Sequence, residues 1–285
     1  MQEHIQIVEQ PVEWNDLPVQ LQAELKFLKN RFLKGSFIEQ IIHRNQDEIN
    51  GIGVSWKNSL HPVAKYIRFA GEQPDQIIKS LLLHTDQFQK VVTSCDETNE
   101  ATIATLKESG FNLFRKTYMF SKQLNQIFKD YPQFEKVTSN IVRLKEVQKD
   151  AFLEESLFKL VKENYEKTHL ENEVKPMTWQ TWSNLLYEDH PHFEFSKIIV
   201  EFDQVIAYIF VHVVSDEEVE IGWVGKRDDT VSLIDLLAEV LKELQLKGWK
   251  TAIFEIDTTD KFAMEFADLL SIKEVESWDS YLKIV

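Results

Sequence analysis

The sequence predicts an α/β protein built as two successive domains, and three observations carry that expectation. The stretch Glu218–Leu270 reads strand, loop, amphipathic helix, strand, helix, which is the pattern of a parallel crossover unit. The same order of elements closes the N-terminal half, around residues 63–120. The length of 285 residues exceeds the commonest size of a single domain.

Residues 1–18 carry little pattern beyond Ile5, Ile7 and Val12, which suggest an edge strand. From Leu17 to Phe32 the apolar residues Leu21, Leu25, Leu28 and Phe32 fall on one helical face, and Gly35 closes the helix. Ser36–His43 and Gly51–Trp56 alternate as strands around the polar turn Asn45–Asn50, and Val63–Phe69 is a third strand. Ala70–Asp75 leads into a helix from Gln76 to about His84, with Pro74 near its first turn. Val91–Ser94 is a short strand, Glu100–Ser109 a helix ended by Gly110, and Phe111–Phe120 a final strand pair. The polar, Pro132-containing run 121–139 reads as the connection, giving domains at 1–123 and 140–285 with a linker at 124–139.

In the second half, Ile141–Leu144 is a strand, and Ala151–Tyr165 and Trp179–Tyr187 are helices. Lys197–Phe202 and Val205–Val214 form a hairpin over Asp203-Gln204. In Glu218–Val224, Val219 and Ile221 alternate with Glu218 and Glu220. The helix Val231–Lys247 aligns Leu233, Leu237, Val240, Leu241 and Leu244, and Gly248 ends it. Thr251–Ile256 is a strand, Lys261–Leu270 a helix with Phe262, Phe266 and Leu269 inward, and Ser280–Val285 a closing strand.

Composition narrows the function classes. At 43% hydrophobic and 12% aromatic residues, with 8 Gly and 7 Pro, the chain can build packed cores and is not of low complexity. The single Cys95 cannot form an internal disulfide, and no Cys/His spacing suits zinc; His190-Pro191-His192 reads as a surface turn. No basic start and apolar core mark a secretion leader, and the most apolar run, Val205–Val214, is about half a membrane span and contains His212. A cytoplasmic, reducing setting without membrane partners is the expectation.

The net charge of −15 is uneven: 16 Lys+Arg stand against 17 Asp+Glu in residues 1–136, and 16 against 30 in 137–285. Nucleic acid is a poor partner for such a half, whereas a cationic amine suits it, as does a purely solubilising role.

The residues 220–227 (E-I-G-W-V-G-K-R), the helix 231–247 ending in K-G-W-K, and F-E-I-D-T-T-D-K-F-A-M-E-F at 254–266 resemble the GNAT superfamily of N-acetyltransferases. In the N-terminal half the resemblance lies in V-T-S-C-D-E-T-N-E-A-T-I-A-T-L-K-E-S-G-F at 92–111. It implies two GNAT-like domains in tandem, the first degenerate. Each would be a mixed, mostly antiparallel twisted sheet flanked by helices and splayed between its fourth and fifth strands. It further implies acetyl-CoA in the second domain's splay, its diphosphate on the loop before the third helix, where free N–H groups and the helix dipole attract anions.

The cofactor-binding residues so implied are Trp223, Val224, Gly225, Lys226, Arg227, Thr230, Val231 and Ser232. The family loop Q/R-x-x-G-x-G/A is matched by Arg227 through Ser232, with Thr230 and Ser232 where glycine or a small residue is usual. Asp228 and Asp229 act there either as helix caps or as charges opposed to a phosphate, while Lys226 and Arg227 could neutralise one. The corresponding N-terminal loop, Gly71–Asp75, has no basic residue, so no cofactor is expected there. Glu220 occupies the strand where the family often places its general base, and N–H groups of Trp223–Gly225 would polarise the thioester. The family's acid, a tyrosine on the last helix, is replaced by Phe262 and Phe266; Tyr208 and Tyr281 are candidates by residue type alone. Trp179, Trp182, Trp223 and Trp278 read as core or pocket walls.

The implied activity is acetyl transfer to a small amine in the C-terminal domain, without a metal. A non-catalytic ligand- or partner-binding protein, and a different acyl carrier, stay open as alternatives. A homodimer is compatible with the sequence.

Overall fold

The computed structural model describes residues 3–7, 11–130, 140–229, 231–267 and 269–285. The chain forms two compact units that do not follow its halves. The first comprises residues 1–115, 171–175 and 278–285; the second comprises 116–170 and 176–277.

The first unit contains β1 (Glu3–Ile7), α1 (Val19–Glu24), α2 (Lys29–Lys34), β2 (Glu39–Asn45), β3 (Glu48–Lys57), β4 (Ala64–Gly71), α3 (Pro74–Leu81), β5 (Lys90–Asp96) and α4 (Glu100–Glu108). β6 (Asn112–Gln123) leaves it and, from Lys116 on, belongs to the second unit. There follow α5 (Leu124–Asp130), β7 (Asn140–Arg143), α6 (Leu144–Val147), α7 (Ala151–Thr168), α8 (Trp179–Glu188), β8 (Lys197–Glu201), β9 (Gln204–Val213), β10 (Glu218–Lys226), α9 (Leu233–Leu246) and β11 (Thr251–Asp257). β12 (Ser277–Ile284) belongs to the first unit from Trp278 on.

The strand order is β1-β2-β3-β4-β5-β12 in the first unit and β6-β11-β10-β9-β8-β7 in the second. In each, one parallel pair (β4 with β5, β10 with β11) lies among antiparallel neighbours. Each parallel pair is bridged by a crossover helix, α3 or α9. Each unit's sheet is thus completed by a strand from the other half of the sequence.

Four segments differ from the sequence expectation. Leu17–Phe32 is broken: Leu25 leaves helical geometry (φ −106°, ψ 13°), so α1 and α2 are separated by a 3-10 turn, although Leu21, Leu25, Leu28 and Phe32 are all buried as the periodicity requires. Phe111–Phe120 is one long strand, not a pair, and it continues into residues 121–123 of the expected connection; Leu124–Asp130 is helical and 131–139 lie outside the described residues. Lys261–Leu270 makes only a 3-10 turn, Ala263–Phe266. Phe262, Phe266, Leu269 and Leu270 are nonetheless buried, so apolar burial is met without a regular helix. The hairpin between β8 and β9 turns on Phe202-Asp203, one residue earlier than expected, with both residues at positive φ (49° and 59°), the geometry of a two-residue primed turn.

Two cores sandwich the second unit's sheet. On one face α9 sets Leu233, Leu236, Leu237, Val240, Leu241 and Leu244 against Val219, Ile221 and Phe254. On the other, α6, α7 and α8 bring Leu157, Phe158, Val161 and Leu186 onto Ile198, Tyr208 and Phe210. β10 therefore alternates: Val219, Ile221 and Val224 face α9, whereas Glu220 and Trp223 do not. Among the described residues no helix is long and apolar enough to cross a membrane.

Leu241, fully buried, and Leu246, 86% exposed, sit on opposite sides of α9. Leu241→Ala is expected to cost about 2–5 kcal/mol, and Leu246→Ala less than about 0.5 kcal/mol, measured by denaturant unfolding.

Candidate active site on the second unit's parted strands

The site begins with a break in hydrogen bonding. β10 pairs with β11 only over Glu218–Ile221 against Thr251–Phe254, then runs on to Lys226 while β11 runs on to Asp257. Beyond Ile221 the β11-facing backbone groups of β10 therefore leave the ladder. At the same point β10 is irregular toward β9: Ile221 opposes Val211 and Val224 opposes Ile209, so Gly222 and Trp223 together oppose the single residue Phe210. A bulge re-aims side chains and releases backbone groups from pairing.

Glu220 lies directly across from His212 on β9. Its carboxylate is half-buried and has no hydrogen bond or ion pair among the described residues. The His212 imidazole covers Gly222, where a Cβ would come within 2.7 Å of the ring. His212 Nε2 lies 3.3 Å from Asp189 Oδ2, and the same oxygen accepts a hydrogen bond from Trp223 Nε1 at 3.2 Å. The carboxylate is hydrogen-bonded to the indole of the bulge, whereas the imidazole only approaches it, both ring nitrogens lacking a hydrogen-bond partner among the described residues. Trp223 stacks on Tyr165 (5.3 Å), which stacks in turn on His169 (3.7 Å), and Trp182 closes the group edge-on to Trp223 at 6.1 Å. Trp182 is fully buried, and Trp179 and Trp223 pack against the α7–α8 core.

Of the residues expected to hold a cofactor, Trp223, Val224 and Gly225 form the bulge and the strand after it. Gly225 is required sterically: a Cβ there would fall on the Asn164 amide and lie 2.6 Å from the Tyr208 hydroxyl. Burial pushes the Tyr208 pKa upward, so its phenol is a neutral core group. Tyr281, the other candidate acid, is buried in the first unit's core.

Lys226 is buried, and its ammonium meets Glu265 Oε1 at 2.8 Å, Asp229 Oδ1 at 3.3 Å and the Val231 carbonyl at 3.3 Å. Burial alone would lower its pKa, but Glu265 and Asp229 carry it above the ordinary lysine value. Because Glu265 follows β11, this ion pair bridges the two parted strands. Arg227 is exposed, with its backbone N–H on the Ile206 carbonyl and Nη2 on that of Val205. Val231 is buried, and Ser232 caps α9 by accepting from the Asp235 N–H. Thr230 lies outside the described residues.

Of the two basic residues at this end of β10, Arg227 is exposed and would be the one to meet a diphosphate. Lys226 is committed to Glu265 and Asp229, and the aspartates beside α9 oppose a phosphate.

Asp260, just past β11, accepts hydrogen bonds from Phe262 N (2.9 Å) and Ala263 N (3.2 Å). Burial, reinforced by Asp257 and Glu265, raises its pKa to about 6 despite those bonds. His212, Asp189 and Asp260 were not legible as site residues. His212 lies within an apolar strand run, and Asp189 is 34 residues from Trp223. His190-Pro191-His192 is not the surface turn expected: His190 takes φ 56°, Pro191 is buried, His192 stacks on Phe195 and donates its N–H to the Val211 carbonyl, and the turn follows at residues 193–195. No metal-binding group of His, Cys, Asp or Glu occurs among the described residues.

Gly225→Ala is expected to destabilise the fold by about 1–3 kcal/mol through overpacking, read as a lowered Tm. Asp260 favours its protonated form in the folded state, so its contribution is full below the unfolded carboxyl pKa near 4 and is lost as pH rises through about 6. Between pH 4.5 and 7.5, the Tm of the native chain should fall more than that of Asp260→Asn.

No family model and no curated protein sequence matches this chain. Solved structures do. A GCN5-related N-acetyltransferase from Sphaerobacter thermophilus matches with a TM-score of 0.64 at 12% identity, covering 99% of this chain and 95% of that one. A tandem GNAT protein from the clavulanic acid biosynthesis pathway matches at 0.56 and 7% identity, covering 99% and 98%. A conserved Enterococcus faecalis V583 protein of unknown function matches at 0.53 and 13% identity, covering 100% of this chain and 73% of that one. The chain has the GNAT N-acetyltransferase fold, in tandem.

Proposed function

We propose that this chain is an acetyl-CoA-dependent N-acetyltransferase acting on a small cationic amine, with its site on β10 of the second unit. The observation that carries this reading is Glu220: a half-buried carboxylate without a partner among the described residues, facing His212, beside a bulge where two strands part. Bound acetyl-CoA would supply an activated acyl carbonyl. Glu220 accepts the proton that an ammonium must lose to become nucleophilic, and the cross-strand imidazole is a second acceptor. Asp189 holds Trp223 by a hydrogen bond and lies 3.3 Å from His212 Nε2, and Trp223 stacks on Tyr165. The Val224 N–H, on the β11 side of β10 beyond the last paired rung, would polarise a carbonyl, and Arg227 would meet a diphosphate. The negative charge of this half of the sequence favours a cationic acceptor.

The rival reading, ligand or partner binding without turnover, is favoured by the Lys226–Glu265 bridge across the parted strands and by Asp228 and Asp229 beside α9. Two variants separate the readings. Arg227→Glu should abolish acetyl-CoA binding in a calorimetric titration while leaving the Tm unchanged. Glu220→Gln should keep that binding and lower the acetylation rate by about 10²–10⁴-fold. No heat from the native chain with acetyl-CoA favours the non-catalytic reading.

A further inference from the structure

The first unit repeats the parted-strand geometry with a different outcome. β4 and β5 pair only over Ala64–Tyr66 against Lys90–Val92 before separating, and a cavity of about 1300 Å³ opens beside Ser94, Cys95 and the end of β4. Arg68 is on β4 just past the last paired rung. Its guanidinium carbon sits 4.8 Å from the Phe27 ring and 4.7 Å from the Trp278 ring, and Nη1 donates to the Ser94 carbonyl. Among the described residues no carboxylate lies within ion-pair distance; Glu24 acts on it only through its field. Burial lowers the Arg68 pKa to about 10, and burial raises that of the neighbouring Cys95 thiol to about 11, so the cation stands beside a neutral thiol.

A partly buried guanidinium with no carboxylate at ion-pair distance among the described residues is left unneutralised, and its fork matches a carboxylate. Yet the cavity wall carries six Asp and Glu against three Lys and Arg, which opposes a polyanion and suits an ammonium group. Leu17, Leu21, Phe27 and Trp278 supply apolar surface between these poles. The volume exceeds the roughly 300–1,000 Å³ of drug-sized sites, so a single amino acid would leave most of it unfilled.

We propose that this cavity is a binding site for a short peptide with both termini free, its carboxylate on Arg68 and its ammonium among the acidic wall residues, including Glu24. The site is independent of Glu220 and of the activity proposed above.

The test is equilibrium dialysis of the full chain against a tripeptide mixture with free termini, its C-terminally amidated counterpart and its N-acetylated counterpart, with retained peptides read by mass spectrometry. Saturable retention of the free peptides is expected, at least tenfold weaker after amidation and weaker again than the free form after acetylation. Arg68→Gln should remove the preference for a free carboxylate. Exposed Glu24→Gln should weaken only peptides with a free ammonium, and Glu220→Gln should change nothing. Retention of no peptide, or equal retention of free and amidated forms by the native chain, overturns the proposal, whether or not Arg68→Gln folds.

Discussion

Each unit depends on a parallel strand pair that zips for three or four rungs and then parts. Parallel pairing demands a crossover, and the crossover helix must bury its apolar stripe on the sheet beside the junction. α9 does so with a run of fully buried leucines, and α3 with Ile77, Ile78 and Leu81. With the helix fixed, the strands separate at their C-terminal ends and leave backbone groups without a ladder partner. Unpaired backbone is costly when buried. It must be satisfied by neighbouring side chains, solvent or a ligand, and this makes the parting a site.

The two units answer this constraint with different charges. In the second, Lys226 and Glu265 reach across from either side, Glu220 lies across from His212 just before the bulge at Gly222-Trp223, and His212 Nε2 lies near Asp189. In the first, Arg68 stands at the edge of a cavity, hydrogen-bonded to one carbonyl among the described residues, its faces against two aromatic rings. Gly222 and Gly225 are fixed by packing against His212, Asn164 and Tyr208 rather than by backbone conformation. One unit presents a carboxylate and an imidazole; the other presents a partly buried cation.

Much of this was legible in the residues. The alternation of Val219 and Ile221 with glutamates, the leucine stripe of α9, and Gly35, Gly110 and Gly248 at positive φ just after helices all follow from local periodicity and chain stereochemistry. The GNAT-like fold and the place of Glu220 on the parting strand were legible too. What was not legible depends on long-range pairing. That β6 and β12 each complete the unit of the opposite sequence half cannot be seen from alternation, which is satisfied equally in either sheet. The bulge needs the register of β9, and the capture of Lys226 needs Glu265, 39 residues away in sequence and on a segment whose apolar stripe mimics a helix. The basic pair Lys226-Arg227 looked equivalent as letters; burial separates them, one paired and one exposed.

The most direct measurement is hydrogen–deuterium exchange of the full chain with and without acetyl-CoA. If the parted end of β10 receives the acyl thioester, amides within Gly222–Arg227 slow on addition of acetyl-CoA, while those of the zipped segment Glu218–Ile221 are unchanged. Unchanged exchange across Gly222–Arg227 at saturating acetyl-CoA, or protection confined to the first unit, would contradict the assignment.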